Sequence, residues 1–159
     1  MSTVSLSSMR MRRFLPALRI AAVSATFACT SATGPQESDL AIAKQRWLLS
    51  GVRAYDYTIY RSCECPPEWS QGITISVSNG VVTRRTNATT GAPASESATG
   101  FTTIDALFDI VATAIAQHAD LVSAAYDPST GVPLHIAIDG SFKTADDEYE
   151  LTVANFRAR

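Results

Sequence analysis

Ile73-Thr74-Ile75-Ser76-Val77-Ser78-Asn79-Gly80-Val81-Val82 decides the fold class. Apolar and hydroxyl-bearing residues alternate through the first six positions, so Ile73, Ile75 and Val77 share one side of an extended strand. Asn79-Gly80 is the dipeptide that best accepts the left-handed backbone of a two-residue hairpin turn, and it sets Val77 opposite Val82 on the return strand. Such a turn joins antiparallel neighbours, with one face packed and the other wet.

Working upstream, Tyr55, Tyr57 and Ile59 alternate with Asp56, Thr58 and Tyr60 in a second half-buried strand. Before it, Leu40, Ala43, Trp47, Leu48 and Gly51 recur at helical spacing, and Ser38 or Asp39 is available as a cap, which predicts a helix over 39–51. Downstream, residues 87–102 are rich in Ala, Thr, Ser and Gly without an apolar period and are expected to form a mobile loop. Thr102 and Asp105 then offer a capping pair for a helix whose stripe is Ile104, Leu107, Phe108, Val111 and Ile115. Three strands follow at 121–126, 133–138 and 148–156. Their inner faces are Val122 and Tyr126, then Leu134, Ile136 and Ile138, then Tyr149, Leu151 and Val153. The expected architecture is α+β, a two-layer sandwich with two helices on one face of a mostly antiparallel sheet of about six strands. Each half reads as a helix followed by three strands, the order a duplicated unit would leave.

The first 28 residues have a different character. Arg10, Arg12, Arg13 and Arg19 carry all of their charge, and a short run of apolar and small residues from Ile20 leads to Ala28. That is the order of a secretory signal, too short to span a bilayer. Thr26-Phe27-Ala28-Cys29 resembles the bacterial lipoprotein cleavage box, with Thr26 where an aliphatic is usual. Cys29 is therefore the expected lipidation site, and 29–38 a flexible tether to a single domain at 39–159. Cleavage after Ala28 or Ala32 without lipid would leave a periplasmic or secreted protein. Removing the four leader arginines leaves nine basic against fifteen acidic residues, a net charge near −6. That balance disfavours a nucleic-acid partner. The partners expected are the membrane, through the N-terminal lipid, and an envelope protein or wall component.

Once Cys29 carries lipid, Cys63 and Cys65 remain, and outside the cytoplasm they are a candidate disulfide. On a straight strand their α-carbons stand about 6.6 Å apart, near the upper limit for a bridge, and Pro66-Pro67 ends the strand there. A redox-active dithiol, or a metal site completed by His118 or His135, are the other roles open to the pair. Continuing the alternation places Thr58, Tyr60, Ser76, Thr83, Arg85, His135, Asp139 and Glu150 on the outer face of the sheet. Tyr60, Arg85, His135 and Asp139 are its candidate binding surface. Asp127, Asp139 and Asp146-Asp147-Glu148 offer carboxylates for calcium without the spacing of a calcium loop. No nucleophile–base pair, phosphate loop or complete ligand set is legible, so no catalytic residue, resident metal or cofactor is assigned.

Trp47, Tyr55-x-Tyr57, Cys63-x-Cys65, the helix start Ile104–Phe108 and the run Tyr126-Asp127-Pro128-Ser129-Thr130-Gly131-Val132-Pro133-Leu134-His135-Ile136-Ala137-Ile138-Asp139 together resemble a family of exported bacterial proteins known only as a domain of unknown function. Val132 stands where that family usually carries an aromatic. The resemblance implies an envelope protein, commonly lipid-anchored, and carries no activity. Read from its own residues, Asp127–Gly131 is turn chemistry between two strands.

Overall fold

The computed structural model describes residues 35–64, 70–95, 98 and 100–159. The leader, Cys29 and Cys65, on which the export, lipidation and disulfide expectations rest, lie outside the described residues. The elements run α1 (Pro35–Ser50), β1 (Tyr55–Ser62), β2 (Ile73–Ser78), β3 (Val81–Asn87), α2 (Ile104–Ala116), β4 (Leu121–Tyr126), β5 (Pro133–Asp139) and β6 (Tyr149–Ala158). The six strands form one sheet in the order β3-β2-β1-β6-β5-β4, and every neighbouring pair is antiparallel. Both helices pack side by side on one face, giving the α+β sandwich that the alternation predicts. The hairpin is as read: Val77 faces Val82, and Asn79 and Gly80 take φ of 52° and 75°.

The core lies between the layers. Ala43 and Trp47 from α1, and Ile104, Leu107, Phe108 and Val111 from α2, are buried against Tyr55, Tyr57, Ile59, Ile75, Val77, Ile136 and Leu151 of the sheet. Trp47 meets Tyr55 edge-on at 5.3 Å between ring centroids, and Phe156 at 5.8 Å. Such contacts add about 0.5–1.5 kcal/mol each beyond the area they bury.

Both helices depart from their predicted starts. α1 begins at Pro35, a turn before the expected residue 39, because Pro in a first turn gives up no hydrogen bond. There the Gln36 amide donates to the Val122 carbonyl at 3.0 Å. The tether expected over 29–38 therefore ends earlier. α2 is capped by Thr103 rather than Thr102: the Thr103 hydroxyl accepts from the Ala106 amide at 3.2 Å. Thr102 instead gives its carbonyl to the Tyr57 hydroxyl. At the other end His118 takes the left-handed conformation with φ of 56°. The His118 amide then reaches the Ile115 carbonyl and the Ala119 amide that of Ala114, closing the helix with backbone groups.

Two bulges reset which side chains face the core. Ser76 pairs with Arg84 but Val77 with Val82, so Thr83 is an extra residue in β3. Arg85 consequently lies opposite Ile75 on the helix side. In β6, Thr58 pairs with Ala154 and Asp56 with Arg157, which leaves Asn155 and Phe156 opposite Tyr57. Asn155 absorbs the irregularity at φ 55°, and Phe156 turns inward to the aromatic cluster.

One turn is used twice. Asp127 Oδ1 accepts from the amides of Ser129 and Thr130 at 2.9 and 2.7 Å, the Gly131 amide bonds the Asp127 carbonyl, and the Asp127 amide bonds that of Val132. Asn87-Ala88-Thr89-Thr90-Gly91-Ala92-Pro93 repeats this pattern after β3: Asn87 Oδ1 accepts from Thr89 and Thr90, both at 2.9 Å, and the Gly91 and Asn87 amides close the same rings. Over 87–102, expected as a loop without apolar period, the chain thus folds back so that Pro93 bridges Thr86 and the Ala94 amide bonds the Arg85 carbonyl. The edge of β3 is covered there. Further on, Ala98 and Phe101 enter the core at 1% and 6% exposure.

The helix-plus-three-strands order does repeat along the chain. In the sheet the two meanders advance in the same direction, but their corresponding strands point opposite ways; with both helices on one face, no rotation superposes one half on the other. The repeat is one of element order.

Candidate functional site

The helices cover one face of the sheet and leave the other open. Across this open face, β1, β6 and β5 align Tyr60, Thr152 and His135 in one row, and Ser62, Glu150 and Ala137 in the next. Tyr60 lies flat against Gly72, where an added Cβ would stand 2.5 Å from its ring. His135 Nε2 meets Glu150 Oε2 at 3.4 Å, with both side chains substantially in water. Tyr60 and His135 sit two strands apart, about 10 Å. Asp139 follows His135 by four residues on the same strand, and so on the same face. Arg85, grouped with these three on alternation alone, is displaced by the Thr83 bulge to the opposite face. There its Nε donates to the Phe101 carbonyl at 2.7 Å and pins the loop before α2.

Where the small residues Ser62 and Ala137 meet the end of the sheet, the open face sinks into a hollow of about 410 Å³. Carboxylates line it: Glu64, Asp139, Glu148 and Glu150, with Cys63 and Leu121 beside them. Asp139 Oδ1 is out of contact with water and carries no hydrogen bond. Desolvation, and then the neighbouring charges of Asp147 and Glu148, push the Asp139 carboxyl upward from the ordinary value. A hollow with this lining attracts a cationic group, which would relieve the repulsion among its acids.

The remaining predicted sites scatter. Asp127 precedes β5 and Asp139 ends it, so the strand separates them by about 20 Å, and they do not gather around one cation. The Asp127 carboxylate is committed to its turn: besides the two amides it accepts from the hydroxyls of Ser129 and Thr130 at 2.6 and 2.9 Å. These bonds hold its pKa down to about 2, the Ser129 hydroxyl contributing most. Among the described residues no three His, Cys, Asp or Glu side chains form a group able to hold a metal ion. Nor does any hydroxyl or thiol among them hydrogen-bond the His135 imidazole. Cys63 is half-buried just past β1.

Two tyrosines play a part that alternation alone does not reveal. The Tyr55 hydroxyl accepts from the Ile104 amide at 2.9 Å, and the Tyr57 hydroxyl donates to Thr102, so β1 holds the first turn of α2. Burial pushes Tyr55 up to about 12 and Tyr57 higher still. Both stay protonated and structural.

A family model matches residues 39–158, nearly the whole described domain. The chain belongs to DUF6174, a family of unknown function. No curated protein and no solved structure matches it. In this DUF6174 domain the residues that carry the resemblance are largely structural: Trp47, Tyr55 and Tyr57 are core, Ile104, Leu107 and Phe108 are core, and Asp127–Val132 is a turn. Gly131 explains its place there. A Cβ at this position would come within 2.2 Å of the Ala43 carbonyl, so only glycine lets α1 rest on the turn. Val132 is 1% exposed.

Proposed function

We propose that this DUF6174 protein is an exported, lipid-anchored binding domain of the bacterial envelope, without enzymatic activity, that holds a cationic group of an envelope protein or wall component on the open face of its sheet. The observation that carries the proposal is the carboxylate-lined hollow of about 410 Å³ on the face the helices leave uncovered. The basic leader and the cysteine at position 29 support export and anchoring. The expected mature charge, near −6, suits a basic partner better than a nucleic acid.

The test is site-specific crosslinking in cells. A photoreactive residue at Ala137, in the floor of the hollow, should capture one envelope component. Replacing Glu150 and Asp139 by lysine should abolish the capture, and a probe at Thr113 on α2 serves as control. Equal capture from both positions, or none from Ala137, would overturn the proposal. The presence of Cys63 at the rim favours one second reading, a thiol-redox or metal-handling role for Cys63 and Cys65. A pair that is oxidised in the purified protein and resists mild reductant leaves a structural disulfide, whereas easy reduction or bound zinc favours the alternative.

A further inference from the structure

α1 keeps more apolar surface than the fold uses. Its inward face buries Ala43 and Trp47, yet Ile42, Leu48 and Leu49 stand 51%, 62% and 79% exposed. Ile42 and Leu49 are seven residues apart and project in nearly the same direction, about 10 Å from each other along the helix. Ser38 and Gln45 share their outward stripe, with Leu48 on one flank and Arg46 and the exposed Asp39 on the other. The stripe itself is uncharged, and that flank carries one charge of each sign. The exposed positions of α2 are different: Asp105, Asp109 and Thr113 lie among them, and its apolar stripe is inside.

We propose that the outward stripe of α1 lies on the surface of the phospholipid bilayer. The proposal rests on the reading of Cys29 as the lipid-bearing residue. Six residue steps separate Cys29 from Pro35, and even fully extended they reach only about 21 Å. The first turn of α1 is then held within that distance of the headgroups, and the apolar stripe begins about two turns further along the helix. The lipid on Cys29 holds the chain at the membrane, and the apolar side chains of the stripe add a second contact with the bilayer. Laid down this way, the helix layer faces the bilayer. The open face of the sheet, with its carboxylates, is left turned away from anionic headgroups and toward a partner.

The test uses the full protein purified from membranes and reconstituted in vesicles of phosphatidylethanolamine and phosphatidylglycerol that carry a photoreactive acyl chain. Adducts are expected on the peptide spanning 42–49, and at least ten-fold fewer in the variant Ile42→Gln, Leu48→Gln, Leu49→Gln. Trypsin cleavage after Arg46 should slow on vesicles to a similar degree. Circular dichroism establishes that the variant is folded, and Leu49→Gln alone provides a milder version. Vesicle-bound protein without adducts on 42–49 overturns the docking while leaving the anchor intact. Crosslinking of α1 to a second copy or another protein in place of lipid overturns it as well. If mass spectrometry of the N-terminus finds no lipid on Cys29, the anchor fails separately, and the same footprint still decides whether α1 touches the bilayer.

Discussion

The two helices share a sheet face but not a role. α2 sets five residues, Ile104, Leu107, Phe108, Val111 and Ala114, into the core, and is closed at both ends by defined bonds. α1 buries Ala43 and Trp47, ties Trp47 Nε1 to Asp105 at 3.2 Å, and leaves three large aliphatic side chains in water. Hydrophobic burial gives about 25 cal/mol for each Å² removed from water, so α2, with more of its side chains in the core, contributes the larger share of the helix layer's stability. Apolar surface that a fold does not bury is available for something else. The contrast teaches that one helix builds the domain and the other spends part of its surface outward.

The contrast breaks most sharply at Phe108. Replacing it by Ala should cost about 3–5 kcal/mol in denaturant unfolding, whereas Leu49→Ala should cost no more than about 0.5. Comparable losses would mean that α1 and α2 are packed alike. The next largest effect lies where α1 is held: Gly131→Ala sets a side chain at φ 79° against the Ala43 carbonyl. Strain at such a residue costs about 1–3 kcal/mol before the clash is relieved. Thermal unfolding should show that loss together with weakened Trp47 packing, read by its fluorescence.

Tyr55→Phe sharpens the view of α2. It removes the acceptor of the buried Ile104 amide and should cost about 1–3 kcal/mol, with faster hydrogen exchange confined to the first turn of α2. Asp127→Asn gives a smaller effect with a pH signature. Because the folded pKa of about 2 lies below the ordinary 3.8, the carboxylate stabilises the domain fully above the unfolded value. Its contribution fades as pH falls through the folded value. The stability gap between wild type and variant should be constant above about pH 5 and close toward pH 2. A gap that widens in acid would contradict the turn assignment.

Local periodicity made most of the fold legible. Ile73–Val82 dictates its own hairpin, and the stripe from Ile104 to Ile115 dictates a buried helix. What alternation could not show is where it is interrupted. A single extra Thr83 sends Arg85 to the helix side, and Asn155 sends Phe156 inward, while neither residue breaks the polar pattern around it. The early start of α1 was masked by Gly34-Pro35, which reads as linker until Pro is recognised as a first-turn residue. The repeated turn is visible in the sequence, since Asn87-x-Thr89-Thr90-Gly91-x-Pro93 parallels Asp127-x-Ser129-Thr130-Gly131-x-Pro133, but the first copy lies in a stretch without apolar period to frame it. Of the candidate site, the face of Tyr60, His135 and Asp139 followed from parity. The hollow did not, because it arises from Ser62 of β1, Ala137 of β5 and Glu148 just before β6, which meet only in the folded sheet.

The division of labour between the helices is tested most directly by the unfolding free energy of the variant Ile42→Gln, Leu48→Gln, Leu49→Gln in solution. Gln is nearly as good a helix former as Leu, so the substitution removes apolar surface and little else. Stability within about 0.5 kcal/mol of wild type is the expected result. A loss above about 2 kcal/mol would place these side chains in the core and contradict the assignment of α1's outer stripe to an external surface.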